Sequence, residues 1–96
     1  MANQHESKDK LVALGKRVVV IDDDPHIVDS VSQYLELEGF VIFKAFSGPE
    51  GLEIALQEQP HIIVLDIMMP EMDGFQVMER IKANEKLRHI PVIMLT

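Results

Sequence analysis

The sequence has no cysteine and no tryptophan, and one tyrosine and four phenylalanines are the only aromatic residues among its 96. The lack of cysteine excludes a disulfide framework, a thiolate metal site and thiol catalysis, so a bound metal has to be held by oxygen or imidazole. It also fits a reducing compartment. With five Gly, five Pro, 47% hydrophobic and 26% charged residues, the chain is neither collagenous nor of low complexity, and its composition is that of one small globular domain. Basic residues are scarce as well. Nine Lys plus Arg face 16 Asp plus Glu, a net charge of −7. That balance disfavours a nucleic-acid phosphate track or binding to an anionic membrane surface. No stretch approaches the roughly 18 apolar residues of a spanning helix, and the opening MANQHESKDKLVALGKR holds no signal-like apolar run or cleavage site. The expectation is a soluble, cytoplasmic protein that binds neither nucleic acid nor membrane.

Residues 1–16 carry three lysines against Glu6 and Asp9, a net +1, which leaves −8 on residues 17–96. The acids therefore belong to the main body, and residues 1–16 read as a polar, flexible N-terminal extension. Arg17 to Ile21 (RVVVI) is a β-branched run of strand length, apolar throughout after Arg17, as in a parallel strand buried on both faces. Asp24 and Pro25 supply an N-cap and a first-turn proline. A helix follows with Ile27, Val28, Val31, Tyr34 and Leu35 at helical spacing until Gly39. Phe40 to Phe46 is a second strand, after which Ser47 and Glu50 form the pattern of a capping box. The second helix carries Leu52, Ala55 and Leu56 and stops before Pro60. His61 to Leu65 is a third strand with Asp66 at its end, and Pro70 and Gly74 shape the turn that follows. Asp73 and Gln76 can cap a third helix with Phe75, Met78 and Ile81 facing inward, and Pro91 to Leu95 is a fourth strand. The order βαβαβαβ with right-handed crossovers means an α/β fold with a mostly parallel sheet and helices on both faces.

In such a sheet the ligand crevice lies beyond the carboxyl ends of the strands. Strand one ends in Asp22, Asp23 and Asp24, strand three in Asp66 and strand four in Thr96, so four acids and a hydroxyl converge on one edge. Acids before a helix have a structural explanation in capping and the helix dipole, and Asp24 fills that role. The others do not need it. Two unit charges about 4 Å apart repel by roughly 4 kcal/mol at an effective dielectric of 20. Asp22, Asp23 and Asp66 would therefore repel one another unless a cation sits among them, and hard oxygen ligands with room for water suit Mg²⁺. His5, His26, His61 and His89 have no ligand spacing and read as surface or strand-edge residues. Met68, Met69, Met72 and Met78 read as turn and core packing.

Through VVVIDDDP, VLDIMMPEMDG and PVIMLT, the chain from Arg17 to Thr96 resembles the receiver domain of two-component response regulators. The resemblance implies a flavodoxin-like doubly wound sheet of order 2-1-3-4, since the group's order is 2-1-3-4-5. It further implies that Asp66 accepts a phosphoryl group from a sensor histidine kinase or a histidine phosphotransfer protein. Asp23, Asp66 and the backbone carbonyl of Met68 would bind Mg²⁺ directly, Asp22 would act through a metal-bound water, and Thr96 would be the switch hydroxyl. A receiver of this kind is a signalling domain that assists its own phosphorylation and dephosphorylation, not an enzyme acting on other substrates.

The resemblance covers about the first two-thirds of the fold: the fourth helix, fifth strand and fifth helix have no counterpart, nor has the family lysine that pairs with the phosphoryl group. Lys82 and Lys86 fall in or after the third helix and do not replace it. Residues 17–96 are thus expected to form a receiver-like domain incomplete at its C-terminus, with parts of strands one and three bare. The fourth-strand edge would then invite self-association, with Leu11, Val12 and Leu14 covering only part of the exposed face. Two other functions compete. One is a truncated receiver that works as a non-catalytic interaction or oligomerisation module. The other is a haloacid-dehalogenase-like phosphotransferase with Asp22 as nucleophile, for which Asp22 and Asp24 supply the Asp-x-Asp pattern.

Overall fold

The structure, a computed structural model, describes residues 13–95. Four strands, β1 (Arg17–Ile21), β2 (Val41–Ala45), β3 (Ile62–Asp66) and β4 (Val92–Leu95), alternate with α1 (Pro25–Leu37), α2 (Gly48–Glu58) and α3 (Gly74–Ala83). The strands form one parallel sheet in the order β2-β1-β3-β4. This is the expected α/β, flavodoxin-like arrangement, and β1 spans the residues expected from the sequence.

Because neighbouring residues of a strand face opposite ways, the continuous apolar run of β1 serves two cores. Val19 and Ile21 pack with Ile63, Leu65, Ala55, Val77 and Ile81 on the side of α2 and α3, where Leu87 and Ile90 close the cluster. Val18 and Val20 pack with Val28 and Val64 on the side of α1. Val18 to Ile21 of β1 are at most 1% exposed and Ile63 to Leu65 of β3 at most 7%, so the expectation that parts of strands one and three are bare is corrected for these residues. Among the described residues, α1 covers the Val18 and Val20 face of β1. The open part of that face lies further along the sheet, where Ile62 is half-buried and Ile93 is 52% exposed.

The helix caps place the sheet's working edge. Asp24 receives the amide of His26 at 2.9 Å and Pro25 opens α1. Asp73 and Gln76 form a complete capping box on α3. At α2 the box is only half made. Ser47 accepts from the Glu50 amide at 3.3 Å, but the Glu50 carboxylate accepts from the Phe46 amide, one residue earlier than a capping box requires.

One inward assignment, Phe75, is corrected. Phe75 is 58% exposed, and Gly74, Val77 and Ile81 form the buried stripe of α3. In α1 Val28 and Ser32 are buried while Tyr34 is 66% and Ile27 42% exposed, because the stripe runs through Val28, Val31, Ser32 and Leu35.

Candidate functional site

The site is built where β1 and β3 end side by side. Asp22 follows β1 directly and its amide donates to the Ala45 carbonyl at 3.1 Å, which extends the β1–β2 ladder by one residue and turns the side chain into the molecule. It is 2% exposed. Its Oδ1 accepts from the Asp24 amide at 3.0 Å, so the same turn that caps α1 also holds the Asp22 carboxylate. Asp23 is exposed at the rim and Asp66, the last residue of β3, is half-buried.

Asp66 Oδ1 accepts from the Met68 amide at 3.2 Å, which fixes the carboxylate over the first residues of the loop. That loop is tightly shaped. The Gly74 amide donates to the Ile67 carbonyl at 2.9 Å, and a Cβ at Gly74 would strike the Asp66 carbonyl oxygen and lie 2.7 Å from Ile67 Cα. Only glycine lets the start of α3 come this close to the Asp66 backbone. Within the loop Glu71 takes the left-handed conformation at φ 64°.

One carboxylate oxygen each from Asp22, Asp23 and Asp66 lie within 4.8 Å of one another. Among the described residues none of the three is ion-paired, the recorded pair being Lys44 with Asp29 at 3.0 Å. Burial raises the pKa of Asp22, and the nearby Asp66 and Asp23 raise it further, against the lowering effect of the Asp24 amide. The cost of crowding three acids is thus visible in the one that water cannot reach. A hard divalent cation fits this donor set: all ligands are oxygen, one is buried and two remain open toward solvent. When bound, such an ion would offset the charge of the carboxylates and of an anionic group placed against them.

The structure brings Asp22, Asp23 and Asp66 together as expected from the strand ends, and Asp24 is confined to capping. Thr96 lies outside the described residues, as do His5, Leu11 and Val12. His26, His61 and His89 are exposed and far from forming a ligand set, and His61 Nδ1 accepts from the Arg17 amide at 3.0 Å. Lys82 and Lys86 are exposed. Sequence reasoning missed the apolar lip beside Asp66: a cleft of about 460 Å³ is lined by Ile67, Met68, Met69, Pro70, Asp73 and Phe75, with Met68 78% exposed. Alternation after Phe75 was the available signal, since only one of Phe75 and Val77 can face the sheet.

Comparison with known proteins gives the same picture. Residues 18–96 match the family model described as response regulator receiver domain. The chain is 46% identical over 80 residues to the DNA-binding dual master transcriptional regulator RpaA of Synechocystis, covering 83% of this chain and 33% of that protein. It is 39% identical over 83 residues to response regulator PleD of Caulobacter vibrioides, covering 86% of this chain and 18% of that protein. The chain thus spans a third or less of these two curated relatives. Among solved structures, the N-terminal domain of a response regulator receiver protein from Methanoculleus marisnigri superposes with a TM-score of 0.81 at 46% identity, covering 83% of this chain and 65% of that one. Chemotaxis protein CheY4 of Vibrio cholerae superposes with a TM-score of 0.80 at 28% identity, covering 83% and 67%.

Proposed function

Because the chain belongs to the response regulator receiver domain family of two-component signalling, we propose that Asp66 is its phosphoacceptor and that Asp22, Asp23 and Asp66 hold Mg²⁺ beside it. The observation that carries this reading is the convergence of three carboxylates, none of them ion-paired among the described residues, within 4.8 Å at the carboxyl ends of β1 and β3.

Asp66 is the nucleophile because it is reachable and aimed. Its Oδ1 is engaged by the Met68 amide, which leaves Oδ2 as the oxygen free to attack phosphorus. The new bond joins that oxygen to phosphorus as the bond from phosphorus to the donor's imidazole nitrogen breaks, and the electron pair leaves with the imidazole. Asp22 is 2% exposed, which disfavours it as the nucleophile of a dehalogenase-like enzyme. Asp22 would instead hold a water of the cation's shell, and Asp23, Asp66 and the Met68 carbonyl would be the direct ligands. Thr96 would donate its hydroxyl to the phosphoryl group.

The donor is a sensor histidine kinase or a histidine phosphotransfer protein, encountered in the cytoplasm, and the exposed Met68 and Phe75 offer it apolar contact next to Asp66. Residues 17–96 act as the receiver unit and residues 1–16 as an extension to it. The half-covered β4, with Ile93 52% exposed, supports self-association through that edge. Calorimetric titration with Mg²⁺ tests the site. Binding is expected in the wild type, weaker in Asp22→Ala, and absent in Asp23→Ala and Asp66→Ala. Equal binding by wild type and Asp66→Ala would overturn the coordination. A protein that binds Mg²⁺ but takes no phosphoryl group from a phosphohistidine donor would instead be an interaction module.

A further inference from the structure

Sulfur chemistry in this chain falls to methionine, because cysteine is absent and six methionines carry all of its sulfur. Met1 lies outside the described residues. Of the other five, Met69, Met72, Met78 and Met94 are half-buried and pack against the core between the sheet, α2 and α3. The Met72 sulfur faces the start of α2, where a Cβ on Gly48 would lie 3.0 Å from it. Met68 is the exception among the five, at 78% exposed.

Its place is fixed beside the candidate site. The Met68 amide donates to Asp66 Oδ1 at 3.2 Å, so the residue's backbone is tied to the carboxylate, while the residue itself lines the apolar cleft together with Phe75. Phe75 is 58% exposed, and the two side chains form the most open part of the lip. A protein that delivers a group to Asp66 comes against this lip. A thioether suits such a contact, being apolar, flexible and polarizable. Its sulfoxide does not, because the S–O dipole and acceptor oxygen lose their hydration when an apolar partner surface covers them.

We infer that Met68 is a site of reversible oxidation by hydrogen peroxide, which turns the lip from apolar to polar and weakens docking of the protein that phosphorylates Asp66. The thioether sulfur attacks one peroxide oxygen, the S–O bond forms as the O–O bond breaks, and both peroxide protons leave on the departing oxygen as water. Sulfur gives up two electrons and the peroxide takes them. A thiol-dependent sulfoxide reductase returns the two electrons and removes the oxygen as water, which restores the lip. The consequence for docking rests on the phosphoacceptor reading, whereas the selective reactivity of Met68 rests on its exposure alone.

Peptide mapping by mass spectrometry after dilute hydrogen peroxide should show Met68 sulfoxide forming about tenfold faster than sulfoxide at Met69, Met72, Met78 or Met94. Labelling of Asp66 is then compared for two donors, a small acyl phosphate and a phosphorylated histidine phosphotransfer protein that labels the untreated chain. Oxidation should lower the ratio of protein-donor to small-donor rates about tenfold, the effect of one polar group left without a partner at a covered surface. Sulfoxide reductase should restore it, and in Met68→Leu the ratio should be the same before and after peroxide. Equal oxidation rates at the five methionines overturn the proposal, as does an unchanged ratio or the same fall in Met68→Leu. An untreated chain that takes no label on Asp66 from the small donor refutes the phosphoacceptor reading and the docking consequence with it, while the oxidation rates still decide whether Met68 is the reactive methionine.

Discussion

Replacing Gly74 by Ala should loosen both the fold and the site, although the side chain added is a single methyl group. The new Cβ would strike the Asp66 carbonyl oxygen and approach Ile67 Cα to 2.7 Å and the Asp66 carbonyl carbon to 3.0 Å. All three are backbone atoms, so no side chain can rotate away, and α3 has to move. That movement also stretches the 2.9 Å bond from the Gly74 amide to Ile67. Overpacking of this kind costs about 1–3 kcal/mol, and a lost hydrogen bond about 1 kcal/mol more. Alanine's better helix propensity returns less than about 1 kcal/mol at a first-turn position. The net expectation is destabilisation by about 2–3 kcal/mol, a fall in Tm of roughly 10 °C or more for a domain of this size. Gly48→Ala is the control. Its Cβ meets Val77 Cγ2 at 2.8 Å and Met72 Sδ at 3.0 Å, side-chain atoms that can yield, so it should cost about 1 kcal/mol less. Thermal and urea unfolding, each with a Mg²⁺ titration, measure the two effects. If Gly74→Ala changed stability by under about 0.5 kcal/mol and left Mg²⁺ affinity intact, the close packing of α3 on Asp66 would not be what positions the site.

Ser32 is 1% exposed and its hydroxyl has no hydrogen-bond partner among the described residues, so Ser32→Ala should leave stability unchanged or raise it by about 1 kcal/mol in urea unfolding. Desolvation and the charges of Arg17 and Lys16 lower the pKa of His61, and its Nδ1 accepts from the Arg17 amide, which a protonated ring cannot do. With the folded pKa below the ordinary 6.5, the unfolded chain takes up the proton first, so this contribution is complete above pH 6.5 and is lost as pH falls below it. His61→Gln should flatten stability across that window. Asp22 behaves oppositely. Its pKa is raised above 3.8, so in the Mg²⁺-free chain stability from this group grows as pH falls toward 3.8. Asp22→Asn, which keeps an acceptor for the Asp24 amide, should stabilise the Mg²⁺-free chain at neutral pH and remove that dependence.

The elements most legible in the sequence were those whose signals are local. β1 is a run of β-branched residues, and the Asp24–Pro25 and Asp73–Gln76 caps depend on neighbours within three positions. The convergence of Asp22, Asp23 and Asp66 was legible too, because parallel topology alone brings the strand ends together. Helix faces were harder to read. Spacing allowed a stripe through Phe75, Met78 and Ile81, but α3 docks through Gly74, and the close approach this permits turns Val77 and Ile81 inward and Phe75 outward. The buried stripe of α1 includes Ser32, which a search for apolar residues passes over.

The central claim is that Asp66 accepts the phosphoryl group, and identifying the residue labelled by a small acyl phosphate donor in the presence of Mg²⁺ tests it most directly. Mass spectrometry of peptides from the wild type should find one phosphoryl group, on Asp66. The label should require Mg²⁺, be released by hydroxylamine as an acyl phosphate is, and be absent from Asp66→Asn. Label that persisted in Asp66→Asn, or that resided on Asp22, would contradict the account.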